Sequence, residues 1–378
     1  MDFDLSWLLW GLPIAFGLGW LASRLDLRQL RIENRQAPKA YFQGLNHLLN
    51  EQQDQAIDAF IEAVRSDPDT SELHFALGNL FRRRGEYERA VRVHEHLLSR
   101  GDLSRAERHR AQHALALDFL KAGLLDRAEE ALRKLEGSAF EGQALLALLA
   151  IYERSRDWKN AAEIAARLEA SGQGSFANRR AHYLCELASQ AGDGQGEAMV
   201  REAMGIAPAA ARPSMELAGL QRRSGDAGQA FGTLAQLAEA SPSTVPLMAR
   251  QLAQCAVASG ARALGERALA ILRASYEQVP SLDVLEALVA LEPEQARAWY
   301  ARHLEREPSL VAATKWLAGE KLGDEQVHPR LQRALEHASK PLVRYRCAAC
   351  GFEANQHFWQ CPGCQAWDSY PPRRVEEL

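Results

Sequence analysis

The sequence predicts an all-α chain: an array of helical hairpins with an apolar helix ahead of it and a small cysteine-held module behind it. Three observations predict this. Small residues and prolines recur at fixed offsets, the stretch from Leu5 to Ala22 carries no charge, and four of the six cysteines form two Cys-x-x-Cys pairs near the C-terminus. Over 378 residues, 47% hydrophobic and 25% charged side chains suffice for a substantial core and exclude a disordered polymer. A formal net charge of −4 gives no global attraction to nucleic acid.

The uncharged stretch comes first. Its eighteen residues would extend roughly 27 Å as a helix, enough to cross a bilayer core. Trp7, Trp10 and Trp20 lie toward its ends, where an indole ring stays in the apolar phase with its N–H among headgroups. Pro13 and the glycines at 11, 17 and 19 suit a membrane helix that kinks or packs closely. Asp2 and Asp4 are the only charges before it, whereas Arg24, Arg28, Arg31, Arg35 and Lys39 follow. A basic flank stays on the cytoplasmic side, so the body is placed there. A cleaved secretory peptide would need a basic leading region, which is absent.

Beyond Lys39 the pattern turns helical and repeats. In "AYFQGLNHLLNEQQDQAIDAFIEAVRSDPD", Gly44 is followed by Ala56, Phe60, Ala63 and Pro68. The next unit sets Leu77, Gly78, Gly85, Tyr87 and Ala90 on the same template, with Gly78 falling 34 residues after Gly44. That period and those offsets are tetratricopeptide ones. Small residues let the two helices of a hairpin approach, larger apolar ones fill the gap to the next hairpin, and Pro stops the second helix. Further copies are anchored by Gly123 and Ala128, by Tyr152, Trp158 and Ala161, by Pro208, and by Gly225, Ala230 and Pro242. Two more, in "CAVASGARALGERALAILRASYEQVP" and "ALVALEPEQARAWYARHLEREP", bring the expectation to about eight or nine in a curved right-handed superhelical solenoid. The stretches "SRGDLSRAERHRAQ" and "AGDGQGEA" read as breaks in register.

Such a solenoid offers a concave face to a protein segment, but fold alone does not name the ligand. The run Arg82-Arg83-Arg84 ends a helix, where cations favour the C-terminal dipole. His74, His94 and His96 sit in a helical pair without a catalytic partner and read as packing or surface residues. No phosphate loop, nucleophile elbow or His-Glu metalloprotease motif is found, which predicts a non-enzyme. Cys185 and Cys255, isolated within helical units, read as small core residues.

The cysteine pairs carry the strongest chemistry. Cys347 and Cys350 are separated by ten residues from Cys361 and Cys364. Four thiolates at this spacing converge tetrahedrally on one metal ion, and iron and zinc both accept that field. Gly351 suits the positive φ that a knuckle turn needs. Gln365 occupies the matching place in the second pair, whose turn is expected to differ. Stable disulfides are disfavoured in a cytoplasmic setting. From Pro341 onward Arg344, Arg346, Arg373 and Arg374 are balanced by Glu353, Asp368, Glu376 and Glu377, which argues against a nucleic-acid-binding ribbon. So short a module relies on its metal to fold, and its aromatic residues exceed what it can hide. Docking on the final helices, near Trp299 and Trp316, is expected. These readings divide the chain into an anchor over 1–23, a basic juxtamembrane linker over 24–39, repeats over 40–340 and a four-cysteine domain over 341–378.

In this order of parts the chain resembles the lipopolysaccharide assembly protein B family along essentially its whole length. The most specific stretches are "YFQGLNHLLNEQQDQAIDAF" and "VRYRCAACGFEANQHFWQCPGCQAWDSY". The resemblance implies a single-pass inner-membrane adaptor with its body in the cytoplasm. Its implied partners are the membrane protease FtsH, the deacetylase LpxC that it helps to degrade, and inner-membrane proteins of lipopolysaccharide assembly or sensing; self-association stays open. It implies a rubredoxin-like domain with Cys347, Cys350, Cys361 and Cys364 as ligands of one metal ion, iron or zinc. The spacer is shorter than in a true rubredoxin, which favours a structural or docking role. Electron transfer through an iron, or a scaffold without proteolysis, are the competing readings.

Overall fold

The structure, a computed structural model, describes residues 15–20, 42–319 and 328–378. Residues 15–20 are helical; the rest of the predicted anchor over 1–23, and the linker over 24–39, lie outside the described residues. No described helix is long and apolar enough to cross a membrane.

The chain divides into two compact units, 1–155 and 156–378. The first holds α1 (42–49), α2 (Gln53–Ser66), α3 (Ser71–Arg84), α4 (Tyr87–Ser99), α5 (Arg105–Ala122), α6 (Leu125–Arg133) and α7 (Glu141–Ser155). The second holds α8 (Trp158–Ala170), α9 (Ala177–Gln190), α10 (Asp193–Ile206), α11 (Ala211–Arg223), α12 (Ala227–Ala240), α13 (Val245–Ser259) and α14 (Arg262–Gln278). It continues with α15 (Leu282–Leu291), α16 (Ala296–Arg306), α17 (Leu310–Ala318) and α18 (His328–Ser339), and ends in a two-stranded sheet. The fold is all-α and tetratricopeptide-like, with helices packed in sequential pairs and a small strand-bearing module at the end.

The repeat residues do what their spacing predicts. Ala56, Ala63, Ala90, Ala128, Ala161 and Ala230 are all fully buried, each where two helices meet. Helix ends are set locally: Ser104 and Glu107 form a reciprocal cap on α5, Asp157, Asp226 and Ser309 cap α8, α12 and α17, and Gly85, Gly123 and Gly260 end helices in the left-handed conformation. Cys185 and Cys255 are buried, and burial pushes the Cys185 thiol up to about 12, as inert core sulfurs should be.

Two features differ from the sequence reading. The "AGDGQGEA" stretch breaks the helices only at residues 191–192, between α9 and α10, and α10 takes up the rest of it from Asp193. A Cβ on Gly196 would stand 2.9 Å from the Ala188 carbonyl oxygen of α9, so this glycine permits a close helix crossing. Arg82 is also more than a cation at a helix end. Its guanidinium donates to Asp118 at 2.9 Å and to the Ala114 carbonyl at 3.1 Å, while Asp118 also holds His94 Nδ1 at 2.5 Å. Asp118 and His94 are fully buried, so α3, α4 and α5 are joined by a polar network inside the first unit.

His94 lies against Gly78, where an added Cβ would meet the ring nitrogen at 2.5 Å. Gly78→Ala is therefore expected to destabilise the first unit by about 1–3 kcal/mol, the usual cost of overpacking. Faster amide exchange in α3 to α5, with the second unit unchanged, checks it.

Candidate metal centre

The terminal module begins at β1 (Tyr345–Arg346), which pairs antiparallel with β2 (Glu353–Ala354), Tyr345 opposite Ala354. This hairpin closes the first knuckle. Cys347 N–H donates to the Phe352 carbonyl at 2.9 Å, and Gly351 N–H donates back to the Cys347 carbonyl at 2.9 Å. The second knuckle repeats the pattern: Cys361 N–H donates to Ala366 at 2.9 Å and Gln365 N–H to Cys361 at 2.8 Å. Gly351 has φ 78° and Gln365 φ 61°, so the second turn does not differ as expected. The hydrogen bonds outweigh the left-handed strain of a residue with a Cβ. Relief of that strain makes Gln365→Gly a stabilising change, by about 0.5–1 kcal/mol, to be read as tighter metal retention in a chelator titration.

The two knuckles bring all four sulfurs within 4.8 Å of one another. Cys347 Sγ lies 3.8 Å from Cys364 Sγ, and Cys350 Sγ 3.7 Å from Cys361 Sγ. A tetrahedron with metal–sulfur bonds of about 2.3 Å has edges of about 3.8 Å, so the sulfurs already stand at ligating separations. Within each pair the first cysteine is buried and the second exposed. Burial works to raise the Cys347 thiol, but Ser369 and the backbone N–H groups of Cys350 and Ala349 outweigh it and bring it down to about 6. Cys361 is lowered in the same way, against its burial, by the N–H groups of Cys364 and Gly363. The Phe352 N–H works to lower Cys350, but burial and the three neighbouring sulfurs push it up to about 12. A site that favours some thiolates and crowds the next against them calls for a cation. Four sulfurs with converging N–H donors fit a structural tetrathiolate ion, iron or zinc, held by Cys347, Cys350, Cys361 and Cys364. Such an ion would cross-link the two knuckles.

The module is fastened to the repeats of the second unit on two sides. On one, Trp367 stacks on His182 of α9, with ring centres 4.8 Å apart, and meets Trp158 and Tyr183 edge-on at 5.9 and 5.8 Å. His182 Nε2 is 2.9 Å from Asp368 Oδ1. On the other, Arg374 is buried and reaches Asp283 at 2.6 Å and Glu286 at 3.1 Å on α15, while the Tyr345 hydroxyl donates to Asp283 at 2.7 Å. The last residues serve as helix caps. Glu376 accepts from the N–H groups of Leu310 and Val311 at the start of α17, and Glu377 accepts from that of Leu282 at the start of α15. Burial raises the Glu377 carboxyl above its ordinary value despite these N–H partners.

Ring contacts thus join the module to Trp158, His182 and Tyr183, while Leu342, Val343 and Trp359 pack against the core cluster that contains Trp299, in keeping with docking on the final helices. Trp299 itself packs edge-on to Tyr276 and donates to Glu292 at 3.1 Å, and Trp316 lies under Arg297. The sequence reading missed Arg374, Asp283, Glu286, Glu376 and Glu377. The available signal was an acidic pair ending the chain after an arginine, but its partners are up to 95 residues away.

Comparison with known proteins agrees with this architecture. Residues 345–371 match the family described as rubredoxin metal binding domain, and residues 73–110 match the tetratricopeptide repeat. A tetratricopeptide repeat protein from Parabacteroides merdae is similar at 15% identity and a TM-score of 0.36, over 68% of this chain and 99% of its own. Lipopolysaccharide assembly protein B of Haemophilus influenzae is 28% identical over 97% of this chain and 98% of its own. Lipopolysaccharide assembly protein B of Escherichia coli K12 is 32% identical over 96% of this chain and 97% of its own. With repeats, cysteine module and nearly full-length similarity in agreement, the chain belongs to the lipopolysaccharide assembly protein B family.

Proposed function

We propose that this chain serves lipopolysaccharide assembly as a non-catalytic adaptor of the inner membrane, promoting degradation of the deacetylase LpxC by the protease FtsH. The observation that carries the reading is similarity to relatives named for lipopolysaccharide assembly across 96% of the chain. The physical logic is that of a tether. A membrane helix over 1–23 holds the body near the protease, the repeats hold the substrate, and co-localisation raises the effective concentration to about the millimolar range without new chemistry. The described residues supply surfaces suited to holding: helix faces, a docked metal module and a polar clasp.

LpxC half-life, followed after synthesis is blocked, tests the reading. Cells carrying Cys347→Ser with Cys350→Ser should show a several-fold longer half-life than wild type. An unchanged half-life would exclude the proteolytic role, and crosslinking that recovers lipid-synthesis proteins without FtsH would favour a scaffold. Protease digestion of spheroplasts checks the topology: protection of the repeats is expected, and cleavage from outside would place the body beyond reach of cytoplasmic LpxC.

A further inference from the structure

The second unit carries a cavity of about 640 Å³ that the metal centre does not use. This lies within the range of ligand-sized pockets, about 300–1,000 Å³, and exceeds what one anchoring side chain would fill. Its floor is apolar, formed by Ala253, Val257 and Ala258 of α13, Ala287 and Val289 of α15, and Tyr300 of α16. Val257 is 65% exposed, a large aliphatic group left facing solvent in a concave site.

The charge at its rim is unbalanced. Three cations, Arg250, Lys315 and Arg374, converge on Glu286: Lys315 pairs with one carboxylate oxygen, while the other is 3.1 Å from Arg374 and 3.5 Å from Arg250. Arg374, buried behind the lining, is also engaged by Asp283 at 2.6 Å, so on the lining itself two cations, Arg250 and Lys315, face one carboxylate, Glu286. Arg250 holds the longest of these contacts and its side chain is 74% exposed, which makes it the least neutralised. Arg222 of α11, 3.3 Å from Gln254 on the cavity wall, extends the basic edge by one more helix. An apolar floor beneath an excess of positive charge complements an apolar side chain flanked by carboxylates.

We propose that this groove docks an acidic, aliphatic segment of a partner protein, seating a Leu- or Met-sized side chain against Val257 and a side-chain carboxylate beside Arg250 and Lys315. This rests on the adaptor reading and names the chemistry of what the repeats hold. Because Glu286 is shared with Arg374, the occupant lies next to the clasp that fastens the metal module.

The test uses the full chain in nanodiscs and fluorescence anisotropy with an acetylated, amidated peptide of three Leu-Asp-Glu-Leu units, against a version with Lys at every acidic position. Capped ends leave side-chain carboxylates as the only anions. The acidic peptide should bind at least about tenfold more tightly than its basic counterpart and weaken as salt rises. Arg250→Glu and, separately, Val257→Glu should each weaken it about tenfold. Both side chains are largely exposed, so unchanged far-ultraviolet circular dichroism is expected to accompany the loss. Equal binding of both peptides, or acidic-peptide affinity that ignores both substitutions, would overturn the proposal. LpxC half-life separates the two claims: groove variants that bind peptide normally while wild-type turnover persists sink the groove alone, whereas absence of wild-type turnover sinks the adaptor.

Discussion

Stripping the metal from the full chain, or replacing Cys347 and Cys350 by Ser, should unfold residues 345–371 and loosen helices far from them in sequence. A structural tetrathiolate site contributes on the order of ten kcal/mol of folding free energy, and a module this short has no core to replace it. Among the described residues, its buried apolar cluster is Cys347, Cys361 and Tyr370, with Tyr345 and Phe358 packed against them half-buried. Removal of two ligands leaves only Cys361 and Cys364, too few thiolates to hold a tetrathiolate ion. The remote consequence follows from the caps. Once the tail is released, Glu376 no longer accepts from Leu310 and Val311, nor Glu377 from Leu282, so the first turn of α15 loses its carboxylate partner and that of α17 keeps only the Ser309 cap. Each lost cap costs about 1 kcal/mol. Hydrogen exchange should therefore accelerate strongly over 345–378, moderately at the starts of α15 and α17, and not at all in α2 to α6. Continued protection of 345–371 in the apo protein would show that the cysteines do not hold the module together. The ion can be identified in the same preparation, since an iron tetrathiolate is coloured and a zinc one is not.

How much of this was legible in sequence depended on the range of the interaction. Gly44 and Gly78 were readable because a close helix approach needs a residue without a side chain at a fixed offset; added Cβ atoms there would meet Phe60 at 2.7 Å and His94 at 2.5 Å. The four ligands were readable because each knuckle is a local turn. Arg82, Asp118 and His94 were not, because a network spanning three helices leaves no periodic mark. Gln365 misled for a different reason: composition gives the cost of a left-handed residue but not the hydrogen bonds that offset it. The clasp was the least legible part, since Arg374 meets Asp283 across 91 positions. Only the fold decides that an arginine at the end of the chain faces an acidic turn of α15.

Arg374→Ala should undock the metal module without touching its ligands. The guanidinium donates to Asp283 from Nε at 3.2 Å and from Nη2 at 2.6 Å, and to Glu286 at 3.1 Å. Its removal leaves Asp283 and Glu286 partly buried, with Lys315, Arg250 and the Tyr345 hydroxyl as their remaining partners among the described residues. Breaking a buried ion pair from one side costs about 3–5 kcal/mol. Lys at this position should rescue poorly, because one ammonium cannot reproduce the planar fork. A cycle with Asp283→Asn distinguishes charge from packing: the double variant should be less destabilised than the sum of the singles. Acid should mimic the substitution. Burial works to raise Glu286, yet Arg374 and Lys315 hold it below the usual carboxylate range. A folded value below the unfolded one means that this contribution is present at neutral pH and disappears as pH falls through the folded value. Wild-type docking, read by exchange at β1 and β2, should weaken on acidification at constant metal loading, and Arg374→Ala should flatten that dependence. Equal slopes for the two proteins would place the acid sensitivity elsewhere and remove Glu286 from the clasp.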